Sequence, residues 1–292
     1  MRLFATLFIV LLQSLALISQ TTTPKGHLVI IGGGPRPEAI MKKIIALAGG
    51  EKARILIIPM ASSEMLETAK AQREQFLKFG APNVDYVICD SASADADSNL
   101  AKINVATGVF FSGGDQNRLM KALRGTKFLQ AVWKVYEKGG VLSGTSAGAA
   151  VQSRIMLTGD ELVNKDTVNP YGMVRKGNIE TAEGFGFVRS VIIDQHFVKR
   201  KRQNRLLTLV LEHPNLVGVG IDEATCIIVK PNSTFEVLGD ATVQVFDARN
   251  AKNIRTDANG NLTGNDIRLH IFPSGALYPM PQVQKSSPKK GR

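Results

Sequence analysis

From His27 to about Val229 the chain alternates short, continuous apolar runs with longer stretches of helical periodicity. Leu28–Ile31, Ile55–Pro59, Asp85–Ile88, Val109–Phe111, Val141–Ser143, Val191–Asp194 and Val217–Ile221 read as strands, apolar enough on consecutive positions to be buried on both faces. Between them, Pro37–Ala48, Met65–Phe79, Asn117–Leu123, Thr126–Glu137 and Val198–Glu212 carry apolar residues at helical spacing. Repeated βα units predict an α/β fold, a mostly parallel sheet with helices on both faces. After Thr234 the rhythm changes to short alternating runs such as Thr242–Phe246, broken by the turn sequence Asp257-Ala258-Asn259-Gly260-Asn261. That portion predicts a small β-hairpin C-terminal extension, a β-rich edge from about 235.

At 292 residues and 44% apolar content the chain can bury a large core, and residues 26–280 are expected to form a single domain. Leu3 to Ile18 is an apolar run behind Arg2 that leaves through Ser19-Gln20-Thr21-Thr22-Thr23, which predicts a signal peptide over residues 1–20. An uncleaved anchor is the alternative. Export places the mature protein in the periplasm or medium, with no stable membrane association after signal removal. The formal net charge is +11, and nine of those charges lie in Lys199-Arg200-Lys201-Arg202 with Arg205, and in Lys285, Lys289, Lys290 and Arg292. Residues 281–292 read as a disordered basic tail. The first cluster has only Phe197 nearby for stacking, so an anionic ligand fits it better than nucleic acid. Cys89 and Cys226 lie in strand-like runs and read as buried free thiols; no spacing suits a metal or redox motif.

Open parallel sheets bind ligands beyond the carboxyl ends of their strands. Ile31-Gly32-Gly33-Gly34-Pro35 invites a dinucleotide reading, but the third glycine of that fingerprint falls at Pro37. Gly144-Thr145-Ser146-Ala147-Gly148 is a different case, a serine between glycines where a strand turns into a helix, and this is the sequence of a nucleophile elbow. The chemistry it suggests is acyl transfer through a serine ester. Phe110-Phe111-Ser112-Gly113-Gly114-Asp115-Gln116 also ends a strand in glycines. There Gly114 could offer an N–H to an oxyanion and Gln116 could bond a substrate amide or carboxylate; a plain βα turn capped by Asp115 is the alternative.

A nucleophilic serine needs a base, and there are four histidines, His27, His196, His213 and His270. Of these, His196 alone follows the carboxyl end of an inferred core strand. Glu223 is the first choice for the orienting carboxylate and Asp222 the second, both at the end of Val217–Ile221; Asp160-Glu161 is weaker.

Val141–Ala149, Phe111–Gln116, Asp194–Phe197 and Gly220–Ala224 together resemble the corresponding segments of cyanophycinases, serine peptidases related to aspartyl dipeptidases. The resemblance runs from about Leu28 to Val229. It implies a fold like that of class I glutamine amidotransferases, a peptidase without cofactor or metal, and a homodimer. It makes Ser146 the nucleophile, His196 the base, Glu223 the orienting acid, and Gly114 and Ala147 oxyanion donors. It assigns Gln116, Asp194, Gln195, Arg200, Arg202 and Arg205 to the substrate pocket. The implied substrate, cyanophycin, is polyaspartate with arginine amide-linked to each side-chain carboxyl, released as β-Asp-Arg dipeptides. An aspartyl dipeptidase acting on small peptides, and a non-catalytic binding protein of the same fold, are the rival readings.

Overall fold

The computed structural model describes residues 23–166 and 168–282. The expected signal peptide and the basic tail from 283 lie outside them. The chain runs β1 (His27–Ile31), α1 (Glu38–Leu47), β2 (Arg54–Ile58), α2 (Met65–Lys78), β3 (Asn83–Tyr86), α3 (Asp97–Val105), β4 (Gly108–Phe111), α4 (Gln116–Leu123), α5 (Lys127–Glu137), β5 (Val141–Thr145) and α6 (Ala147–Ala150). It continues through β6 (Ile155–Glu161), β7 (Ile179–Glu183), β8 (Val191–Gln195), α7 (Gln203–Glu212), β9 (Val217–Ile221) and β10 (Thr225–Val229). The last elements are β11 (Thr234–Gly239), β12 (Val243–Asp247), β13 (Lys252–Thr256), β14 (Leu262–Asn265), β15 (Arg268–Phe272) and β16 (Leu277–Pro279).

Two large sheets share one core. The first has the order β16-β11-β10-β1-β5-β4-β2-β3 and the second β15-β12-β9-β8-β6-β7, with β13 and β14 as a separate hairpin. Alternate side chains of β1 show why it is central: Leu28 and Ile30 face the core between the sheets, while Val29 and Ile31 pack under α1 with Ile40, Met41 and Ile44. The inter-sheet core joins Leu142, Phe111 and Ala147 to Val191, Ile193, Val219 and Ile221 of the second sheet. On the far side of that sheet Ile192 and Phe197 meet Leu206, Leu209 and Val210 of α7.

The α/β class holds, but both sheets are mixed rather than mostly parallel. β1, β5, β4, β2 and β3 run parallel, as do β6, β8 and β9, and each parallel link has a crossover helix or a long connection to make it. Beyond β9 the described connections carry no helix, so β10, β11, β12, β15 and β16 join as antiparallel neighbours. The late strands therefore widen both sheets instead of forming an appended hairpin layer. Asp257–Asn261 does turn a hairpin, with Asp257 Oδ1 accepting from the N–H groups of Asn259 and Asn261.

Three elements depart from expectation. The helix expected from Val198 begins at Gln203, because Lys201 sits at φ 52° and residues 197–201 form a turn. α3 was not anticipated: its weak amphipathicity leaves Ile103 as its one fully buried residue. The β6–β7 pair was also missed, since its outer strand is largely exposed.

What matters for the site is that β5 ends in the first sheet and β8 in the second, with their carboxyl ends meeting. Phe197 secures the second end: it is fully buried, and a Cβ built at Gly220 would lie 2.3 Å from its ring. Phe197→Ala is expected to cost about 3–5 kcal/mol of unfolding free energy, and Gly220→Ala to destabilise by forcing Phe197 out of place. Chemical denaturation of both variants checks this.

Candidate active site

Ser146 occupies the turn between β5 and α6 at φ 54°, ψ −111°, a backbone conformation that costs on the order of 1–3 kcal/mol unless the surroundings enforce it. The enforcing contacts are visible. Ser146 N–H donates to Ile31 O (3.1 Å), and Gly148 lies so close to β4 that a Cβ there would be 2.2 Å from Phe111 O. The glycine-serine-glycine spacing is thus a packing requirement of the elbow.

His196 follows β8 at φ 49°, with its N–H donating to Gly32 O (2.6 Å). Its Nε2 is 2.8 Å from Ser146 Oγ and its Nδ1 is 2.7 Å from Glu223 Oε1. These distances suit the tautomer in which Nδ1–H donates to Glu223 and Nε2 accepts from the serine hydroxyl. Glu223 lies in the three-residue link between β9 and β10, where Ala224 at φ 54° donates its N–H to Gly33 O (3.0 Å). Its neighbour Asp222 turns elsewhere, accepting from Lys199 N–H (3.0 Å), so geometry separates the two adjacent acids. Glu161 is held by Asn164, Asn178 and the Tyr171 N–H, away from His196.

Burial is the chief cause that lowers the His196 pKa below the ordinary imidazole value. The Glu223 hydrogen bond opposes this, while the positive charges of Arg200 and Arg202 add to it. A neutral imidazole beside the serine is the result. Ala147 is fully buried as the first residue of α6, and Gly114 sits at φ 135° against Ala61 O, where a Cβ would come within 2.1 Å. Among the described residues neither N–H has a protein acceptor, which leaves two backbone donors flanking the elbow.

The residues expected to line the pocket divide into three groups. Asp194 and Arg205 are paired with each other instead of facing a substrate: Arg205 Nε donates to Asp194 Oδ2 (2.7 Å) and Nη2 to Asp194 Oδ1, while Nη1 donates to Tyr171 Oη (3.0 Å). Both are 1% exposed, and the guanidinium stacks over the Tyr171 ring at 4.8 Å. A carboxylate buried at a strand end needs such a partner. Gln116 and Arg202 are buried and partly engaged. Gln116 Nε2 donates to Leu157 O (2.9 Å) and Thr158 O, tying α4 to β6, and Arg202 Nη1 donates to Gln195 O (2.7 Å) and Gln195 Oε1. Arg202 Nε has no partner, and burial pulls its pKa down to about 10. Arg200 is exposed on the turn after His196.

Sequence reasoning missed the role of Gly32-Gly33-Gly34. A Cβ at Gly32 would strike Asp222 O at 2.2 Å, one at Gly33 the His196 ring at 2.2 Å, and one at Gly34 the Glu223 side chain at 2.8 Å. The signal was present as three successive glycines ending a core strand, and it marks close approach by side chains rather than by a phosphate. Both cysteines are free and buried, and among the described residues no cluster of three His, Cys, Asp or Glu could hold a metal ion.

An α/β scaffold that presents a strained serine at a strand end, in line with a histidine and a carboxylate, defines the serine hydrolase class. The model of peptidase family S51 matches residues 28–237, and the chain belongs to that family as a serine-type peptidase. Among its relatives, a cyanophycinase of Synechococcus elongatus is 35% identical over 276 residues, covering 89% of this chain and 82% of the relative. One from Trichormus variabilis is 32% identical, covering 91% and 90%. A solved peptidase from an acI-B1 Actinobacterium superposes with a TM-score of 0.67 at 23% identity, covering 88% of this chain and 98% of that one, and shares the fold.

The buried pair gives a direct prediction. Arg205→Met alone should destabilise the protein by about 3–5 kcal/mol by stranding the Asp194 charge, and adding Asp194→Asn should recover part of that loss. A double-mutant cycle in urea measures the coupling.

Proposed function

We propose that this peptidase is an exported exopeptidase that hydrolyses cyanophycin to β-Asp-Arg dipeptides, with Ser146 as nucleophile, His196 as base and Glu223 as its orienting acid. The observation that carries the catalytic roles is the continuous line of hydrogen bonds from Ser146 Oγ through the His196 ring to Glu223. The substrate rests on the relatives, several of which are cyanophycinases at 30–35% identity over most of their length.

Ser146 Oγ attacks the scissile carbonyl as its proton passes to His196 Nε2, and Glu223 stabilises the imidazolium that forms. The oxyanion is met by the N–H groups of Ala147 and Gly114. Collapse of the tetrahedral intermediate breaks the C–N bond and sends the proton from Nε2 to the leaving amine. Water, deprotonated by the same imidazole, then cleaves the acyl-enzyme and restores the serine. Arg200, exposed near His196, and Arg202, whose Nη1 is 3.9 Å from an Asp194 carboxylate already held by Arg205, supply positive potential for a substrate rich in carboxylates.

Residues 26–280 act as one domain, a reading supported by the core that both sheets share. The parallel run β1-β5-β4-β2-β3, with the elbow at the end of β5, supports kinship with class I glutamine amidotransferases. The apolar run Leu3–Ile18 supports export to the periplasm or medium. A homodimer is in keeping with the open edge strand β15, whose Leu269 and Ile271 are more than half exposed.

Purified protein incubated with cyanophycin granules, and separately with small α-aspartyl dipeptides, tests the activity. Release of β-Asp-Arg is expected from the granules, and Ser146→Ala should lower that rate by at least about 10³-fold; cleavage of the dipeptides alone would make the enzyme an aspartyl dipeptidase. Wild-type rate in Ser146→Ala, or cleavage of neither substrate, would overturn the reading. The base must be neutral, so kcat/KM should fall as pH drops through a value below the ordinary imidazole pKa. Arg200→Gln removes a positive charge that lowers this pKa, so the acid limb should move to higher pH in that variant.

A further inference from the structure

Arg36 stands apart from the basic residues discussed so far. It follows the Gly32–Gly34 turn, in Pro35-Arg36-Pro37. Two prolines restrict the backbone on either side, so its side chain leaves from a preset direction. The guanidinium is partly buried, over the Phe110 ring at 5.9 Å, with Nε donating to Gln75 Oε1 (2.8 Å). No carboxylate lies within ion-pairing distance among the described residues, and the four N–H bonds of Nη1 and Nη2 have no protein acceptor there. Burial without a compensating acid pulls its pKa down.

Its position relates it to the nucleophile. Gly33, three residues earlier, is in contact with the His196 ring, and three residues of chain span at most about 11 Å. One turn earlier than Gln75 on α2, Gln72 accepts from Ser112 Oγ, beside the Gly113 whose Cβ would sit 3.4 Å from Ser146 Cβ. Arg36 therefore stands at the carboxyl edge of the first sheet, within reach of the substrate unit adjacent to the one held at the serine. A half-buried fork with two free nitrogens is a receptor for a carboxylate, which it can take in bidentate fashion.

We propose that Arg36 is a specificity-determining residue that binds an α-carboxylate of an arginyl branch next to the scissile bond, a subsite separate from the Arg200–Arg205 segment. This rests on the cyanophycinase reading above. Each branch of that polymer carries one such carboxylate, so a subsite one unit along the chain meets it on every turnover.

The test uses two-unit cyanophycin segments whose arginyl α-carboxylates are free or converted to carboxamides, with steady-state kinetics for wild type, Arg36→Gln and Arg36→Lys. Wild type is expected to show a KM about tenfold lower for the free acid. Arg36→Gln should raise the free-acid KM by about tenfold, leave the carboxamide KM unchanged and keep kcat within about twofold. Arg36→Lys should fall between, having the charge without the fork. Equal loss on both substrates, or loss confined to kcat, would mean that Arg36 only supports the fold. If Arg36→Gln does not fold, the lysine variant decides alone: an undiminished preference for the acid overturns the subsite. Wild type cleaving both substrates with equal KM removes the subsite and leaves the enzyme's function standing, whereas wild type inert on both removes the function and the subsite together.

Discussion

Ser146, His196 and Glu223, the residues proposed for catalysis, all hang on the end of β1 and the turn that follows it. Gly32 O accepts from His196 N–H, Gly33 O accepts from Ala224 N–H, and Gly32 N–H donates to Thr225 O (2.9 Å), so one short segment ties β8 of the second sheet and the β9–β10 link to the centre of the first. The same three residues lack the Cβ atoms that would occupy the space of Asp222, the His196 ring and Glu223. Ser146 is bound to the last residue of the same strand through Ile31 O. Ser146, His196 and Ala224 all carry positive φ, and such conformations persist when surrounding structure over-determines them. A methyl group anywhere on the turn would have to move the residues that align Ser146 with His196.

Charge in the site is layered by depth. At the strand end next to His196, Asp194 and Arg205 neutralise each other in nearly complete burial, which fixes the end of β8 without placing a net charge there. Arg202 is shallower, with one nitrogen unsatisfied, and Arg200 is exposed. Positive potential thus grows toward solvent while the imidazole stays neutral. The cost of that bias to His196 is limited by Glu223, whose hydrogen bond works in the opposite direction. A single cluster of five basic residues in the sequence becomes one member of a structural ion pair, Arg205, one partly engaged residue, Arg202, and three surface cations, Lys199, Arg200 and Lys201, according to where each falls on or after the 197–201 turn.

Legibility followed the range of the interactions. Most of the parallel half of the first sheet could be read from the chain because β1, β4 and β5 are buried along nearly their whole length and α1, α4 and α5 carry apolar stripes, whereas α3, the weakly amphipathic crossover into β4, could not. Ser146 and His196 were readable for the same reason, since a strand end is a place that sequence can locate. The choice between Asp222 and Glu223 was not, because adjacent acids differ only in the direction each takes from the link, and that direction goes with the contact of Ala224 N–H with Gly33 O just beyond the paired β1 and β10. Antiparallel additions to both sheets likewise depend on partners far along the chain, whereas the late start of α7 and the pairing of Arg205 with Asp194, eleven residues apart, depend on the positive-φ turn at Lys201, which no residue type announces. Tyr171, 34 residues from the guanidinium it covers, carried no local signal at all.

The chain order of Ser146, His196 and Glu223, the proposed nucleophile, base and acid, follows from this architecture. Ser146 belongs to the first sheet and is in place once β5 has paired with β1 and β4. His196 follows β8, which pairs within the second sheet after the chain has left the first through β6. The carboxylate rides on the link by which the chain returns, since β9 ends in the second sheet and β10 begins in the first. That link is three residues long and must pass over the glycine turn, so its middle residue is brought against whatever side chain lies there. The histidine already lies there. A serine, histidine and acid in that order are therefore what a chain produces when it leaves a parallel sheet, builds a second one, and comes back across the strand end where it started.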